Sequence, residues 1–311
     1  MSNSLPADVT VSNEMPAHGP RRVGYVAIVG RPNVGKSTLL NAMIGAKVSI
    51  TSRKAQTTRH RIHGVLTTAS AQFVFVDTPG FQTKYGGTLN RVMNRVVTQT
   101  LSDIDVVLLV CEAGRVTPAD REVLKLLPQQ IPVLLVLNKV DLVEPKEKLL
   151  PLLAEMQQLY PFAAIIPVSA HKGLQLDHLQ NEIAMHLPWG ELLFAEDDLT
   201  DRNERFIAAE FVREKLFRLL GEELPYGCTV VVEKYELEGQ LRRIYCAILI
   251  DKDAHKPIIL GRQGERIKRI GMEARQDLER LFSGSVYLEI FVKTRSGWAD
   301  SEASLRQLGY E

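Results

Sequence analysis

The sequence predicts an open, mostly parallel α/β sheet domain followed by a smaller α+β domain. Three observations predict it. From Val23 to Leu187 short apolar runs alternate with longer segments of helical period, the arrangement of helices covering both faces of a sheet. A Gly-rich segment, Gly30 to Ser37, sits directly between the first apolar run and the first helical pattern. Around Pro188 to Asn203 the pattern breaks into Pro, Trp and Gly and then an acidic stretch, Glu196, Asp197 and Asp198, which reads as a linker.

Taken in order, strands are expected near Val23 to Val29, Ile62 to Leu66, Gln72 to Val76, Asp105 to Cys111, Ile131 to Leu137 and Ala163 to Val168. Several are continuously apolar, as strands buried on both faces are. Helices are expected at Lys36 to Ile44, Leu89 to Leu101, Pro118 to Leu127, Pro145 to Leu159 and Leu176 to Leu187. The second domain reads as helix (Glu204 to Leu220), strands (Thr229 to Leu237 and Leu241 to Ile250), a β-like run into Ile258 to Leu260, helices (Gly264 to Ile270 and Glu273 to Phe282) and a last strand (Ser285 to Val292). The expected organisation is thus a flexible tail (1–20), a first domain (21–187), a linker (188–203) and a second domain (204–311).

A length of 311 residues suits two compact units, and 45% hydrophobic with 24% charged residues is globular composition. The formal net charge of +1 leaves any nucleic-acid surface to local clustering of Lys and Arg. Cys111, Cys228 and Cys246 show no metal-ligand spacing and read as reduced core thiols of a cytoplasmic protein. The apolar runs fall far short of the ~18 residues that span a bilayer, and the N-terminus lacks the apolar stretch of a signal peptide.

Gly30, Arg31, Pro32, Asn33, Val34, Gly35, Lys36 and Ser37 form GxxxxGKS, with Thr38 following. The glycines let backbone N–H groups surround phosphate oxygens, and the helix N-terminus favours negative charge. Lys36 is expected to reach the β and γ phosphates and Ser37 to ligate Mg²⁺. Asp77, Thr78, Pro79 and Gly80 end the next buried strand, where Asp77 would hold Mg²⁺ and the Gly80 N–H would sense the γ-phosphate.

The base is chosen elsewhere. Asn138, Lys139, Val140 and Asp141 follow another strand as NKxD. The Asp141 carboxylate can accept from guanine N1–H and the 2-amino group, neither of which adenine offers. Asn138 would tether neighbouring loops, and the Lys139 stem would lie along the base. Ser169 and Ala170 would close the pocket with a backbone N–H to the guanine carbonyl.

GRPNVGKS, DTPG, NKVD and SAHKG, in this order, resemble the P-loop GTPase superfamily over about Val23 to Leu187. The resemblance implies a Ras-like domain with a mostly parallel six-stranded sheet that binds GTP or GDP with Mg²⁺. It also implies that a threonine of the Lys54 to Arg59 loop completes the Mg²⁺ shell when GTP is bound. Alignment on Arg59 favours Thr58 over Thr57. Where many such GTPases place a water-orienting glutamine after DTPG, Phe81 stands here, so slow intrinsic hydrolysis is expected. Asn33 with Phe81 resembles members that hold K⁺ against the phosphates.

In the second domain, Gly261, Arg262, Gln263 and Gly264 form GxxG. From Lys252 to Arg269 there are six Lys or Arg residues against two acids. The glycines allow close approach to a nucleic-acid phosphate, with Arg262, Arg266 and Lys268 adding charge. Ile258, Ile259 and Ile267 would form the floor for bases. The order αββααβ with GxxG between the later helices resembles a type II KH domain, which clamps about four single-stranded nucleotides. The neutral Gln263 departs from the frequent doubly basic tip.

With the QTTR loop and DTPGF, the combination resembles the TrmE-Era-EngA-like GTPases, specifically the bacterial ribosome-assembly members with a C-terminal KH domain. That resemblance implies binding near the 3′ end of 16S rRNA during maturation of the small (30S) ribosomal subunit, and peripheral association with the inner face of the membrane. A monomer is expected. Two rivals are a P-loop kinase acting on a small molecule, which NKVD argues against, and a constitutive RNA-binding protein with a merely structural nucleotide site.

Overall fold

The computed structural model describes residues 20–83, 86–221 and 224–310. The expected tail, apart from Pro20, lies outside the described residues. The first domain comprises β1 (Arg21–Val29), α1 (Lys36–Ile44), β2 (Ile62–Thr67), β3 (Ala71–Asp77), α2 (Thr88–Thr100), β4 (Val106–Glu112), α3 (Pro118–Leu124), β5 (Val133–Asn138), α4 (Leu149–Leu159), β6 (Ala164–Pro167) and α5 (Leu176–His186). The strands order as β2-β3-β1-β4-β5-β6, with β2 antiparallel to β3 and the other neighbours parallel.

The apolar runs explain the layering. Successive side chains of a strand point to opposite faces. Val26 and Ile28 of β1 therefore enter one core with Leu40 of α1 and Ile183 of α5, whereas Ala27 and Val29 enter the other with Val97 of α2, Val123 of α3 and Met156 of α4. All three cysteines are buried and unbridged, and burial pushes the Cys228 thiol up to about 11 and that of Cys246 to about 12.

The expected linker is pinned along the first sheet. Trp189–Gly190 (β7) pairs antiparallel with β1, Val65 N–H donates to Leu199 O at 2.9 Å, and the Gln72 amide donates to Phe194 O at 2.9 Å. Gln72 is polar and buried, and these bonds satisfy it.

The second domain comprises α6 (Glu204–Leu219), β8 (Cys228–Glu238), β9 (Leu241–Ile250), α7 (Lys256–Leu260), α8 (Glu265–Phe282), β10 (Val286–Thr294) and α9 (Glu302–Gln307). β8 and β9 form a hairpin, while β10 runs parallel to β9 and so requires the crossover that α7 and α8 supply. Two readings of the sequence are corrected here. The β-like run before GxxG is helical, with Pro257 in the first turn where its missing N–H loses nothing. The two helices expected after GxxG are one: α8 continues through Gly271, whose bare Cα faces Ile290 of β10, a hypothetical Cβ lying 3.5 Å from Ile290 Cδ1. α9, not foreseen, joins Trp298 and Tyr310 in a small core against Leu89, Val92 and Met93 of α2.

Between the domains lies α6. It is buried nearly all round, including Glu210, Arg213, Glu214 and Lys215. Charged residues are almost never fully buried unless paired. Arg213 is held fork to fork by Glu210 (2.7 and 2.5 Å), while Glu214 and Lys215 bond to each other at 3.0 Å.

Candidate functional site

The loops after β1, β3, β5 and β6 converge at the carboxyl ends of their strands, where open α/β sheets bind ligands. They line a cleft of about 600 Å³ together with the segment between α1 and β2. Asn33 (φ 67°) and Gly35 (φ 102°) are left-handed, and a Cβ on Gly35 would lie 2.3 Å from Asn138 Nδ2. Gly80 likewise abuts Pro32, a hypothetical Cβ lying 2.8 Å from Pro32 Cα, so the DTPG and phosphate loops touch.

Lys36 is buried, and its ammonium donates to Gly30 O at 3.1 Å and Arg31 O at 3.2 Å. Burial lowers its pKa to about 8, which leaves it mostly protonated at neutral pH. Beside it, Ser37 Oγ donates to Asp77 Oδ2 at 2.6 Å and lies 2.8 Å from Thr58 Oγ1. Ser49 Oγ, which belongs to no motif, donates to the same Asp77 oxygen at 2.9 Å. Asp77 Oδ1 is buried with no hydrogen-bond partner among the described residues, and burial pushes the carboxyl above its usual range. A buried carboxylate oxygen in want of a partner beside converging hydroxyls fits a hard, oxygen-seeking cation such as Mg²⁺. Of the two threonines, Thr58 joins this cluster. Thr57 turns away to Ser52 Oγ (2.6 Å) and Lys54 O (2.7 Å).

The Asp77 geometry makes a stability prediction. Its folded-state pKa lies above the ordinary 3.8, so ionisation at neutral pH opposes folding of the metal-free chain. Asp77→Asn removes that charge penalty in the metal-free form and is expected to erase the stabilisation that Mg²⁺ with GDP confers. Thermal unfolding with and without Mg²⁺ reads both effects, and a variant that responds to Mg²⁺ as the parent does contradicts the assignment.

In the base region, Asn138 ties three loops together. Its Nδ2 donates to Val34 O at 2.9 Å, and its Oδ1 accepts from Lys139 N–H at 2.8 Å and Ala170 N–H at 3.0 Å. Lys139 extends across the cleft floor to Asn33 O at 2.9 Å and Glu112 at 3.3 Å. Asp141 lines the cleft and accepts from Ser169 Oγ at 2.5 Å, the bond that chiefly holds its carboxyl below the ordinary carboxylate value. Leu142, 72% exposed at the cleft mouth, offers an apolar surface that the motif reading did not single out.

Several expected site residues are placed differently. The Arg31 side chain turns from the phosphate loop to Glu112 (2.9 Å) and Asp120 (3.1 Å), leaving only its backbone for a phosphate. Val34 is core, and Thr78 is buried with its hydroxyl on Ile28 O at 2.8 Å. Pro79 is buried too, and Phe81 packs against the second of the two first-domain cores. Ser169 N–H donates to Leu174 O at 3.2 Å and Ala170 N–H to Asn138, so a guanine carbonyl would have to share the latter.

The GxxG turn leaves α7 and enters α8 with Gly261 (φ 74°), Gln263 (φ 51°) and Gly264 (φ 77°) all left-handed. A Cβ on Gly261 would meet Arg266 Cβ at 2.8 Å, so glycine is required there. Arg262 and Gln263 are exposed at the tip, and Lys268 is exposed on α8. Two expectations are corrected. Ile259 is fully buried in the domain core, so Ile258, 47% exposed, and half-buried Ile267 make the apolar floor. Arg266 donates to Ile258 O and braces α7, which leaves it less able to reach a phosphate.

Comparison with known proteins agrees with this division. Residues 25–139 match the family model described as 50S ribosome-binding GTPase, and residues 223–299 match that of the KH domain. The chain is 57% identical over 290 residues to GTPase Era of Bordetella avium, covering 93% of this chain and 98% of that protein. To GTPase Era of Chromobacterium violaceum it is 53% identical, covering 94% and 99%. Among solved structures, a variant of Aquifex aeolicus Era bound to GDP and aluminium fluoride superposes with a TM-score of 0.89 at 42% identity, covering 93% of this chain and 99% of that one. Era in complex with MgGDPNP and nucleotides 1506–1542 of 16S ribosomal RNA superposes with a TM-score of 0.88 at 41% identity, with the same coverage. Full-length likeness at these identities, on top of the phosphate, base and GxxG geometry, shows that the chain belongs to the Era family of GTPases.

Proposed function

We propose that the chain is a switch that binds GTP with Mg²⁺ in the cleft, hydrolyses it slowly, and holds a single-stranded segment near the 3′ end of 16S rRNA at its GxxG turn during assembly of the small subunit. The observation that carries it is the cluster of Ser37, Thr58 and Asp77 at one end of a cleft whose other end presents Asp141. Ser37, Thr58 and Asp77 would hold Mg²⁺, which when bound supplies charge to offset that developing on the phosphoryl oxygens. Lys36 would exchange its carbonyl partners for β and γ phosphate oxygens, and the Gly80 N–H, on the loop that abuts Pro32, would sense the γ-phosphate. Asn138 keeps the phosphate and base loops in register, while Asp141 accepts from the guanine edge.

The RNA half of the proposal rests on the exposed Arg262, Gln263 and Lys268 around a turn whose glycines admit a phosphate, and on the related Era that carries 16S nucleotides. Crosslinking to cellular RNA followed by sequencing, with and without a non-hydrolysable GTP analogue, is expected to enrich the 3′ end of 16S rRNA when the analogue is present. Enrichment of unrelated RNA, or none, would overturn this half.

K⁺ belongs to the same reading. Phe81 is tucked against the core and cannot orient water, whereas the exposed Asn33 borders the phosphate end of the cleft. Hydrolysis is expected to be about tenfold faster in K⁺ than in Na⁺, and equal rates reject the role. The proposal extends to a monomer that associates peripherally with the inner membrane face. No described helix is long and apolar enough to cross a bilayer. Light scattering and co-sedimentation with anionic vesicles test these two points.

A further inference from the structure

From Lys47 to His60 the first domain's chain crosses α6 of the second domain before it enters β2, and it is fastened there at both ends. Lys47 Nζ reaches Glu214 of α6 at 2.5 Å and Asp277 of α8 at 2.7 Å. Ile50 is fully buried within the second domain's core cluster, and Thr51 N–H donates to Glu214 at 2.9 Å. Further along, Lys54 Nζ donates to Leu220 O at 2.5 Å, just past the end of α6.

Arg59 is the deepest fastening. It is 1% exposed, and its guanidinium donates to the carbonyls of Cys228 (2.8 Å), Pro225 (3.1 Å) and Tyr226 (3.2 Å). Phe217 lies on it at 5.2 Å and Trp298 at 5.9 Å. A buried cation held largely by carbonyls is an expensive way to make an interface.

The strap's two contacts with the proposed Mg²⁺ site sit beside these anchors. Ser49, on Asp77, adjoins Ile50, and Thr58, on Ser37, adjoins Arg59. Adjacent in sequence, Thr58 turns its hydroxyl to Ser37 in the cleft while Arg59 turns its guanidinium to the second domain, so displacing Arg59 displaces Thr58.

We propose that Arg59 is a positioning residue for the Mg²⁺ site: locked into the carbonyls of residues 225, 226 and 228, it holds Thr58 Oγ1 at Ser37, so that the second domain sets the first domain's affinity for Mg²⁺ with GTP. The inference rests on the reading of Thr58 as a Mg²⁺ ligand. Because the fastening carbonyls belong to the segment entering β8, any ligand that shifts that segment shifts Thr58 with it.

The test uses the full chain and Arg59→Lys, which keeps the charge but loses the guanidinium fork. The readout is the Mg²⁺ concentration that half-saturates binding of a fluorescent non-hydrolysable GTP analogue, with a GDP analogue alongside. Losing a group that orients a metal ligand weakens metal affinity by about tenfold, so the Mg²⁺ midpoint should rise by that factor for the GTP analogue and change little for GDP. Thr58→Ala should raise it similarly, and the double variant should go no further, because both act through one hydroxyl. A parental midpoint in Arg59→Lys, or shifts that add fully in the double variant, overturns the proposal. A parental midpoint in Thr58→Ala instead strikes the reading of Thr58 itself. Should Arg59→Lys fail to fold, Lys54→Ala at the rim is expected to shift the midpoint the same way by about twofold, and no shift there is equally fatal.

Discussion

Asp141→Asn is expected to convert a guanine site into a xanthine site. In the parent, the carboxylate can accept from both guanine N1–H and the 2-amino group, and a charged acceptor strengthens each bond. Ser169 Oγ already donates to Asp141 Oδ1, fixing the orientation of the group. In the variant the amide oxygen can keep that bond while the amide nitrogen donates to the 2-carbonyl of xanthine. The same nitrogen confronts the 2-amino group of guanine, donor against donor. Such mismatches discriminate by roughly 10⁴-fold where the partners are dehydrated. Asp141 borders an open cleft, so GTP affinity is expected to fall by about 10³-fold with XTP affinity rising in return. Competition binding of the two nucleotides checks it, and undiminished preference for GTP contradicts the base assignment.

The second large effect concerns the other domain. Arg262 and Gln263 are both exposed, Gly261 and Gly264 keep their left-handed conformations, and Asp tolerates that of Gln263 (φ 51°), so replacing both with Asp should leave the turn's backbone in place. The change puts two negative charges where a phosphate is expected. RNA affinity should fall by about 10- to 100-fold, and the salt dependence should lose about one phosphate contact. GDP affinity, measured on the same sample, reports that the chain is folded. If the 16S fragment binds as before at every salt concentration, the turn is not the clamp.

Most of the first domain was legible because its residues report locally. Strands buried on both faces need continuous apolar runs, and phosphate and base loops need particular residues at particular spacings, so GxxxxGKS, DTPG and NKVD stand out. What escaped were residues whose role depends on distant partners. Ser49 reaches Asp77 only because Asn41, through its side-chain oxygen, caps the N–H groups of Val48 and Ser49. Arg59 served only as a landmark for Thr58, since nothing in the sequence says that it enters the other domain. Ile259 is expected to be part of the base floor because it stands beside GxxG with Ile258 and Ile267, and nothing local tells these apolar residues apart. On a short helix its side chain turns inward instead. The two helices expected on either side of Gly271 are one because Ile270, Ala274 and Leu278 bury a continuous face of α8 in the core, and a single glycine, which costs a helix about 1 kcal/mol, does not interrupt it.

The charged residues of α6 taught the same lesson in reverse. Glu210, Arg213, Glu214 and Lys215 would be a solvated face on an isolated helix, yet they lie buried between the domains, and Glu214 bonds directly to the strap that carries Ser49 and Thr58. Physical contact between the nucleotide cleft and the RNA-facing domain therefore runs through α6 and Arg59.

That contact is the core of the account, and RNA affinity as a function of nucleotide state measures it most directly. Anisotropy of a labelled fragment from the 3′ end of 16S rRNA, titrated with the full chain in Mg²⁺, should show binding about tenfold tighter with a non-hydrolysable GTP analogue than with GDP, in the usual range of coupling between sites. Identical affinities with the analogue, with GDP and with neither would mean that the two domains work independently.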